Sequence, residues 1–207
     1  MSVDGLTYLA AAEQRRMPWK NGGGTTTEIA TGPVGAAFDD FGWRVSIADV
    51  ASDGPFSIFS GIDRTLAIIA GHGIALTIDG KPAATLREGD EALAFDGGVP
   101  TSAALLNGPI RDLNVMTRRG SFTHAVRRFV ATGRAAIELR APTTVFVLTR
   151  GQLAVTSAEL VMHLRAGDAL FAVGSARPEQ RFGVTGSGVL FQIAIFPVGV
   201  DATQSEA

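Results

Sequence analysis

Residues 66–95 read LAIIAGHGIALTIDGKPAATLREGDEALAF, and residues 145–173 read VFVLTRGQLAVTSAELVMHLRAGDALFAV. The two stretches form an internal repeat, in which LREGD at 86–90 aligns with LRAGD at 164–168. Each copy has an apolar strand, a glycine turn, a second apolar strand, a Gly-Asp turn and a further strand. In each Gly-Asp turn the glycine can adopt a positive φ and the aspartate can cap the local backbone. A repeat of this length indicates a duplicated supersecondary unit, and its pattern is typical of a small jelly-roll barrel.

Period-2 alternation also dominates the segments outside the repeat. Residues 43–49 alternate in this way, with Arg44 and Ser46 on the strand face opposite Trp43. Helical periodicity is scarce, and its best candidate, residues 7–14, is short. We therefore predict an all-β fold of two tandem jelly-roll barrels or sandwiches, over residues 1–120 and 121–207. The second repeat copy is poor in polar pocket candidates, so the ligand pocket is predicted in the first barrel.

The composition narrows the classes of function. The 207 residues are 46% hydrophobic and 18% charged, with a formal net charge of −2, so the chain can bury a large core. A slightly acidic chain without a basic run argues against a nucleic-acid partner. The absence of cysteine excludes disulfides, cysteine–zinc sites and cysteine nucleophiles. The first residues lack the pattern of a secretory signal and the apolar runs are too short for a bilayer, so we expect a cytoplasmic protein without a membrane partner.

Polar residues interrupt the hydrophobic alternation between residues 17 and 64. The first group is the run KNGGGTT, in which the lysine precedes the glycines and strand-like sequence follows, so it is not a nucleotide-binding P-loop. Its glycine amides can approach a ligand closely, the lysine adds charge, and the asparagine can both donate and accept. The alternative is a flexible turn before the first strand. The candidate ligand-binding residues of this group are Lys20, Asn21, Gly22, Gly23 and Thr25.

A second group of candidates contains two arginines. Arg44 shares a strand face with Ser46, and arginine suits bidentate recognition of a carboxylate. If that face points outwards, both side chains are simply solvated. Arg64 follows a tight turn, and it either anchors an anion in the barrel mouth or pairs with Asp63 or Asp53 at the rim.

The remaining candidates lie beside Arg64 in the sequence and on a later strand. Asn114 and Met116 share a strand face, and this face is accessible to water if Asn114 lines a pocket. A buried asparagine satisfied within a core network is the alternative. The candidates of the whole second group are Arg44, Ser46, Ser57, Phe59, Arg64, Asn114 and Met116.

The sequence indicates no metal, cofactor or catalytic constellation. His72, His124 and His163 are scattered and no H-x-H pair occurs, which argues against a coordinated metal. No nucleophile elbow and no Ser/His/Asp arrangement is present. We therefore predict no cofactor, no metal ligand and no catalytic residue.

The polar segments together resemble the HutD/Ves family of bacterial proteins. The resemblance runs through PWKNGGGT at 18–25, WRVSIA at 43–48, DGPFS at 53–57 and GIDR at 61–64, and more weakly through DLNVM at 112–116. It covers most of the chain and implies a bicupin fold, in agreement with the repeat. It also implies binding of a small metabolite and a regulatory role in bacterial histidine utilisation.

The residues and the resemblance lead to one main hypothesis and two alternatives. The main hypothesis is a metal-independent protein that binds a carboxylate- or formyl-bearing metabolite of histidine catabolism in the mouth of the first barrel, with Arg64 or Arg44 pairing with the anion. One alternative is a metal-free cupin isomerase or hydrolase acting on a small organic acid, with a carboxylate or histidine as base. The other is a protein–protein regulator that docks through the second barrel. Sheet edges also allow a homodimer.

Overall fold

The computed structural model describes residues 2–3, 5–33, 40–157, 160–173 and 180–199. These residues form an all-β fold, as predicted, with one short 3-10 helix at Ala11–Glu13. The strands in chain order are β1 (Ser2–Val3), β2 (Leu6–Leu9), β3 (Arg15–Pro18), β4 (Gly24–Gly32), β5 (Trp43–Val50), β6 (Gly54–Pro55), β7 (Ile62–Ala70), β8 (Ile74–Ile78), β9 (Lys81–Leu86), β10 (Leu93–Asp96), β11 (Thr101–Leu105), β12 (Ile110–Arg118), β13 (Phe122–Glu138), β14 (Thr143–Thr156), β15 (Val161–Arg165), β16 (Ala169–Val173) and β17 (Arg181–Pro197).

The start of the chain differs from its prediction. Residues 7–14 were expected to be the best helical candidate, but Leu6–Leu9 is a strand. Tertiary pairing overrides the local preference here, because Leu6 is fully buried and β2 pairs with β16. Among the described residues, no helix has the length and apolar character needed to cross a membrane.

The strands pair in antiparallel fashion and form three sheets. One sheet has the order β10-β7-β12-β5-β4-β3, and a second has the order β6-β11-β8-β9. These two sheets pack face to face and form the first barrel. The third sheet has the order β1-β2-β16-β14-β17-β13, with β15 pairing with β14. It forms the second barrel and takes in the first two strands of the chain.

The repeated Gly-Asp turns adopt the same structure in both barrels. The backbone N–H of Arg87 donates to Oδ2 of Asp90 at 2.8 Å, and the backbone N–H of Arg165 donates to Oδ2 of Asp168 at 2.8 Å. The glycine before each aspartate has a φ of 98° in the first barrel and 99° in the second, a region that favours glycine. The predicted roles of both turn residues are therefore confirmed.

One face of β5 packs against the second barrel. Val45 belongs to an apolar cluster with Val147 and Ile193 of the third sheet, and burial of each such side chain contributes about 1.5–3 kcal/mol. Because side chains alternate along a strand, Arg44 and Ser46 point the other way, into the first barrel. Both faces of β5 are thus buried, and the alternative in which Arg44 and Ser46 are solvated does not hold.

The interiors of the two barrels differ. Large apolar side chains such as Phe146 and Phe182 form the core cluster of the second barrel. The first barrel has a comparable apolar cluster around Leu66 and Leu76. The rest of its interior wall carries the polar residues of β5, β7 and β12, and this is where its cavity opens.

Candidate functional site

A cavity of about 570 Å³ opens in the first barrel. Its wall is formed by β5, β7 and β12, and its mouth by the turn at 17–21 and the loop at 55–59. The lining residues are Met17, Pro18, Trp19, Lys20, Asn21, Thr26, Arg44, Ser46, Ala48, Pro55, Phe56, Ser57, Phe59, Arg64, Asp112, Asn114 and Met116. The volume lies within the range typical of small-molecule sites.

The strand register places the polar side chains of the wall in rows. Met116 on β12 lies opposite Arg44 on β5 and opposite Arg64 on β7, so the two arginines flank it. In the next row, Asn114 lies opposite Ser46. The wall therefore changes from cationic to neutral polar along the strands.

Arg64 is held inside the barrel. Its side chain is 7% exposed, its Nε donates to Oδ1 of Asn114 at 2.7 Å, and its guanidinium lies 4.6 Å from the ring centroid of Phe56. Burial lowers its pKa to about 10, which leaves it charged at neutral pH. The rim pairs considered as alternatives do not form: Asp63 binds Arg119, and Asp53 accepts the backbone N–H of Leu105 at 2.7 Å.

Arg44 is the second buried cation of the wall. It is 4% exposed, and its Nε lies 3.1 Å from Oε2 of Glu28 on β4. Burial lowers its pKa, and the nearby Glu28 carboxylate opposes that change. Glu28 thus offsets part of the positive charge at this end of the cavity.

Asp112 is a site residue that the sequence analysis missed. It is 1% exposed, and the Nδ2 of Asn114 donates to its Oδ1. Burial raises its pKa to about 7, although the neighbouring Arg64 acts in the opposite direction. Asn114 therefore lines the cavity and is also satisfied within a buried network. The two interpretations of this residue from the sequence both hold. Asp112 lies two residues before Asn114, and the same period-2 reasoning could have found it.

Aromatic side chains at the mouth were also missed. Trp19 lines the cavity, and its Nε1 donates to Oγ1 of Thr26 at 2.8 Å. Phe56 lines it beneath the guanidinium of Arg64. Both residues fall within sequence segments that were selected for their polar members. Trp19 precedes Lys20 and Phe56 precedes Ser57, so an aromatic residue beside a selected polar residue was the available signal.

Of the predicted site residues, Lys20, Asn21, Arg44, Ser46, Ser57, Phe59, Arg64, Asn114 and Met116 line the cavity. Lys20 and Ser57 lie at its exposed mouth. The structure thus brings the turn, the loop and the three wall strands together around one space.

The other three predicted residues do not line the cavity. The N–H of Gly22 donates to the carbonyl oxygen of Trp19 at 3.1 Å, and the N–H of Gly23 donates to Oδ1 of Asn21 at 3.0 Å. The prediction that these amides face a ligand is therefore not supported, because the turn itself uses them. Thr25 neighbours the cavity-lining Thr26 on β4, and alternation turns it to the other face.

The histidines lie away from the cavity wall. His72 contacts the carbonyl oxygen of Asn107 at the surface, and His163 is exposed on β15. His124 lies between hydroxyls of Thr117 and Thr65, at 2.7 and 2.8 Å, and burial lowers its pKa. Within the described part of the chain, no three metal-ligating side chains form a group.

The sequence of the chain is similar to those of known proteins. The family model for HutD matches residues 11–191. An uncharacterised 21.2 kDa protein in the hutC 3′ region of Pseudomonas putida is 43% identical over 129 residues, which cover 62% of this chain and 67% of that protein. Protein Ves of Citrobacter koseri is 38% identical over 117 residues, which cover 55% of this chain and 60% of that protein. The aligned parts thus span about three fifths to two thirds of these relatives.

A solved structure covers nearly the whole chain. HutD from Pseudomonas fluorescens SBW25, described as a formate condition, is 32% identical with a TM-score of 0.78 and covers 94% of this chain and 100% of that chain. Solved structures at 13% and 10% identity, with TM-scores of 0.69 and 0.62, share the fold alone. The predicted bicupin fold and the HutD/Ves resemblance are confirmed, and the chain belongs to the HutD family.

Proposed function

We propose that the cavity of the first barrel binds a small metabolite that carries a carboxylate or formyl group. The observation that carries this proposal is the row in which Arg44 and Arg64 flank Met116, each buried and each facing the same space. A guanidinium presents a planar fork of donors that matches the two oxygens of a carboxylate. Formate, named for the Pseudomonas fluorescens relative, belongs to this class of ligand.

The charges around the cavity favour an anion. Of the described residues that line it, Lys20, Arg44 and Arg64 are basic and Asp112 alone is a carboxylic acid. Glu28 offsets part of the charge of Arg44. Because both arginines are shielded from water, their attraction for an anion is stronger than at an open surface.

Neutral groups supply direction and shape. Ser46 and Asn114 form the polar row beside the arginines, where a formyl or second carboxyl oxygen would lie. Met116 and Phe59 form an apolar wall, and Trp19 and Phe56 add aromatic surface at the mouth. This division between a charged end and an apolar end suits a small acid with a short carbon skeleton.

The relatives support a proposal for the biological role. Their printed names connect them with a hut region and with HutD, and the resemblance implies a regulatory role in histidine utilisation. We propose that this protein reports the level of such an acid without a metal ion, because recognition is assigned to arginines rather than to a metal centre.

Calorimetric titration with formate, acetate and N-formylglycine tests the proposal. Arg64→Gln removes the positive charge and the paired N–H donors of the guanidinium group. We therefore expect a loss of affinity of about tenfold or more. Arg111→Gln is the matched control, since Arg111 precedes Asp112 on β12 but pairs with Asp49 at the surface. Circular dichroism establishes that each variant is folded. Unchanged affinity in both Arg64→Gln and Arg44→Gln would contradict the proposal.

Asp112 supports a second candidate function, acid–base catalysis on the bound acid. A carboxyl group with a pKa of about 7 beside a binding cavity can give or take a proton at neutral pH. The test is turnover of the acids that bind. Asp112→Asn should abolish any turnover while binding is kept, and binding without turnover of any bound acid would leave the binding function alone.

A further inference from the structure

The second barrel has a cavity at the place that the internal repeat relates to the first one. The offset that aligns Asp90 with Asp168 also aligns Asn114 with Gln192. Asn114 lies on β12, which pairs with β5 and β7, and Gln192 lies on β17, which pairs with β13 and β14. Each residue thus occupies the central strand of three and lines the cavity of its own barrel.

This second cavity has a volume of about 300 Å³, at the lower end of the range for small-molecule sites. Ile137 and Leu190, both buried, form an apolar floor. Among the described residues, three arginines line the cavity against one glutamate, so these charged side chains carry an excess of positive charge. These residues come from β13, the segment after it and β17, which lie outside the repeat copy at 145–173, and the sequence analysis overlooked them for that reason.

The three arginines are not equivalent. Arg140 and Arg181 both form ion pairs with the carboxylate of Glu138. Arg127 lies directly opposite Gln192 in the register between β13 and β17. Among the described residues, none of the ion pairs or hydrogen bonds involves the guanidinium of Arg127. Its charge is therefore available to an anion in the cavity.

Gln192 supplies the second recognition group. It is 8% exposed, and its Nε2 donates to the backbone carbonyl oxygen of Glu138 at 2.5 Å. That bond fixes the orientation of the amide, because a carbonyl oxygen can only accept. Within the described part of the chain, Oε1 of Gln192 accepts no hydrogen bond. This oxygen is not among the fully buried atoms that lack a partner, so it is accessible and suited to accept from a donor on a ligand.

We propose that the cavity of the second barrel is a separate binding site for a small dicarboxylate that carries a hydroxyl group. The excess of arginine over glutamate matches two carboxylates, of which one pairs with Arg127. The ligand hydroxyl donates to Oε1 of Gln192. An amino group in that place would add positive charge to a site that already has an excess, so a hydroxy acid fits better than an amino acid.

Nuclear magnetic resonance of the full chain, labelled with ¹⁵N, tests this proposal with L-malate as the probe. The side-chain amide of Gln192 and the Nε–H of Arg127 should shift in a saturable manner. Succinate, which lacks the hydroxyl, should bind about tenfold more weakly, because Oε1 then stays without a donor. This comparison uses only the wild-type protein, so it does not depend on how a variant folds.

Two variants complete the test. Arg127→Gln should weaken malate binding about tenfold or more. Arg128→Gln is the matched control, since it removes the same charge from the next residue of β13, outside the cavity, and should change affinity less than twofold. Arg64→Gln in the first barrel should leave the site intact. Equal losses in Arg127→Gln and Arg128→Gln, equal affinity for malate and succinate, or malate shifts confined to the first cavity would each overturn the proposal.

Discussion

The Nε of Arg64 donates to Oδ1 of Asn114 at 2.7 Å, and the Nδ2 of the same asparagine donates to Asp112. One amide thus links a buried cation to a buried acid on the wall of the cavity in the first barrel. Arg64 and Asp112 are both almost fully buried, so bulk water cannot replace these hydrogen bonds. The stability of the protein and the shape of the site therefore depend on the same side chain.

Asn114→Ala should lower the free energy of unfolding by about 2–4 kcal/mol, because it leaves two buried groups without a hydrogen-bond partner. Urea denaturation at constant pH measures the loss. Asn107→Ala is the control, since that residue is exposed at the surface and its substitution should cost less than about 0.5 kcal/mol. A similar small loss in Asn114→Ala would show that the link contributes little.

Stability should depend on pH through Asp112. Its pKa is raised by burial to about 7 from 3.8, so the native state binds more protons than the unfolded chain between about pH 4 and pH 7. This group therefore makes stability fall as the pH rises through that window. Asp112→Asn removes this contribution. The free energy of unfolding of the variant, relative to the wild type, should therefore increase by up to about 1.4 kcal/mol per pH unit between pH 5 and pH 7. Denaturation curves that respond to pH identically in both proteins would refute this.

Glu28→Gln should tighten anion binding while it weakens the fold. The Glu28 carboxylate lies 3.1 Å from Nε of Arg44, so it would compete with the proposed ligand for that cation. Without it, the affinity for formate should rise about threefold to tenfold, and the loss of a largely buried ion pair should cost about 1–3 kcal/mol of stability. Titration and denaturation of the same sample measure both effects. Weaker formate binding in a folded variant would show that Glu28 positions Arg44 rather than competing for it.

The two repeated turns offer a matched pair of substitutions. Asp168 accepts hydrogen bonds from the backbone N–H of Arg165, the hydroxyl of Tyr8 and the backbone N–H of Ala11. The corresponding Asp90 is exposed and accepts from the backbone N–H of Arg87. Asp168→Ala should therefore cost about 2–4 kcal/mol and Asp90→Ala about 0.5–1.5 kcal/mol. Thermal unfolding of the two variants side by side measures the difference, and equal losses would count against the anchoring role of Asp168.

The fold class could be predicted because its signals are local. Strand alternation and the repeated Gly-Asp turn can be recognised within short windows of sequence. The pairing of β2 with β16 could not be predicted, because it joins residues far apart in the chain and leaves no local pattern. Homodimerisation, the cytoplasmic location and the division of the chain at residue 120 stay predictions.

The site could be predicted in part. Alternation showed that Arg44 and Ser46 share a face, but it could not show which face is inside, since β5 is covered on both sides by different layers. The glycine run correctly indicated a turn. The direction of the N–H groups of Gly22 and Gly23 depends on the backbone conformation of that turn. This direction cannot be inferred from the residue types alone.

The pairing of β2 with β16 constrains when the second barrel can fold during translation. Tyr8 and its partner Asp168 are 160 positions apart, so β2 leaves the ribosome long before β16 has been translated. During that time this segment, which includes the buried Leu6, is exposed to incorrect contacts. The second barrel therefore cannot be completed until β16 has been translated.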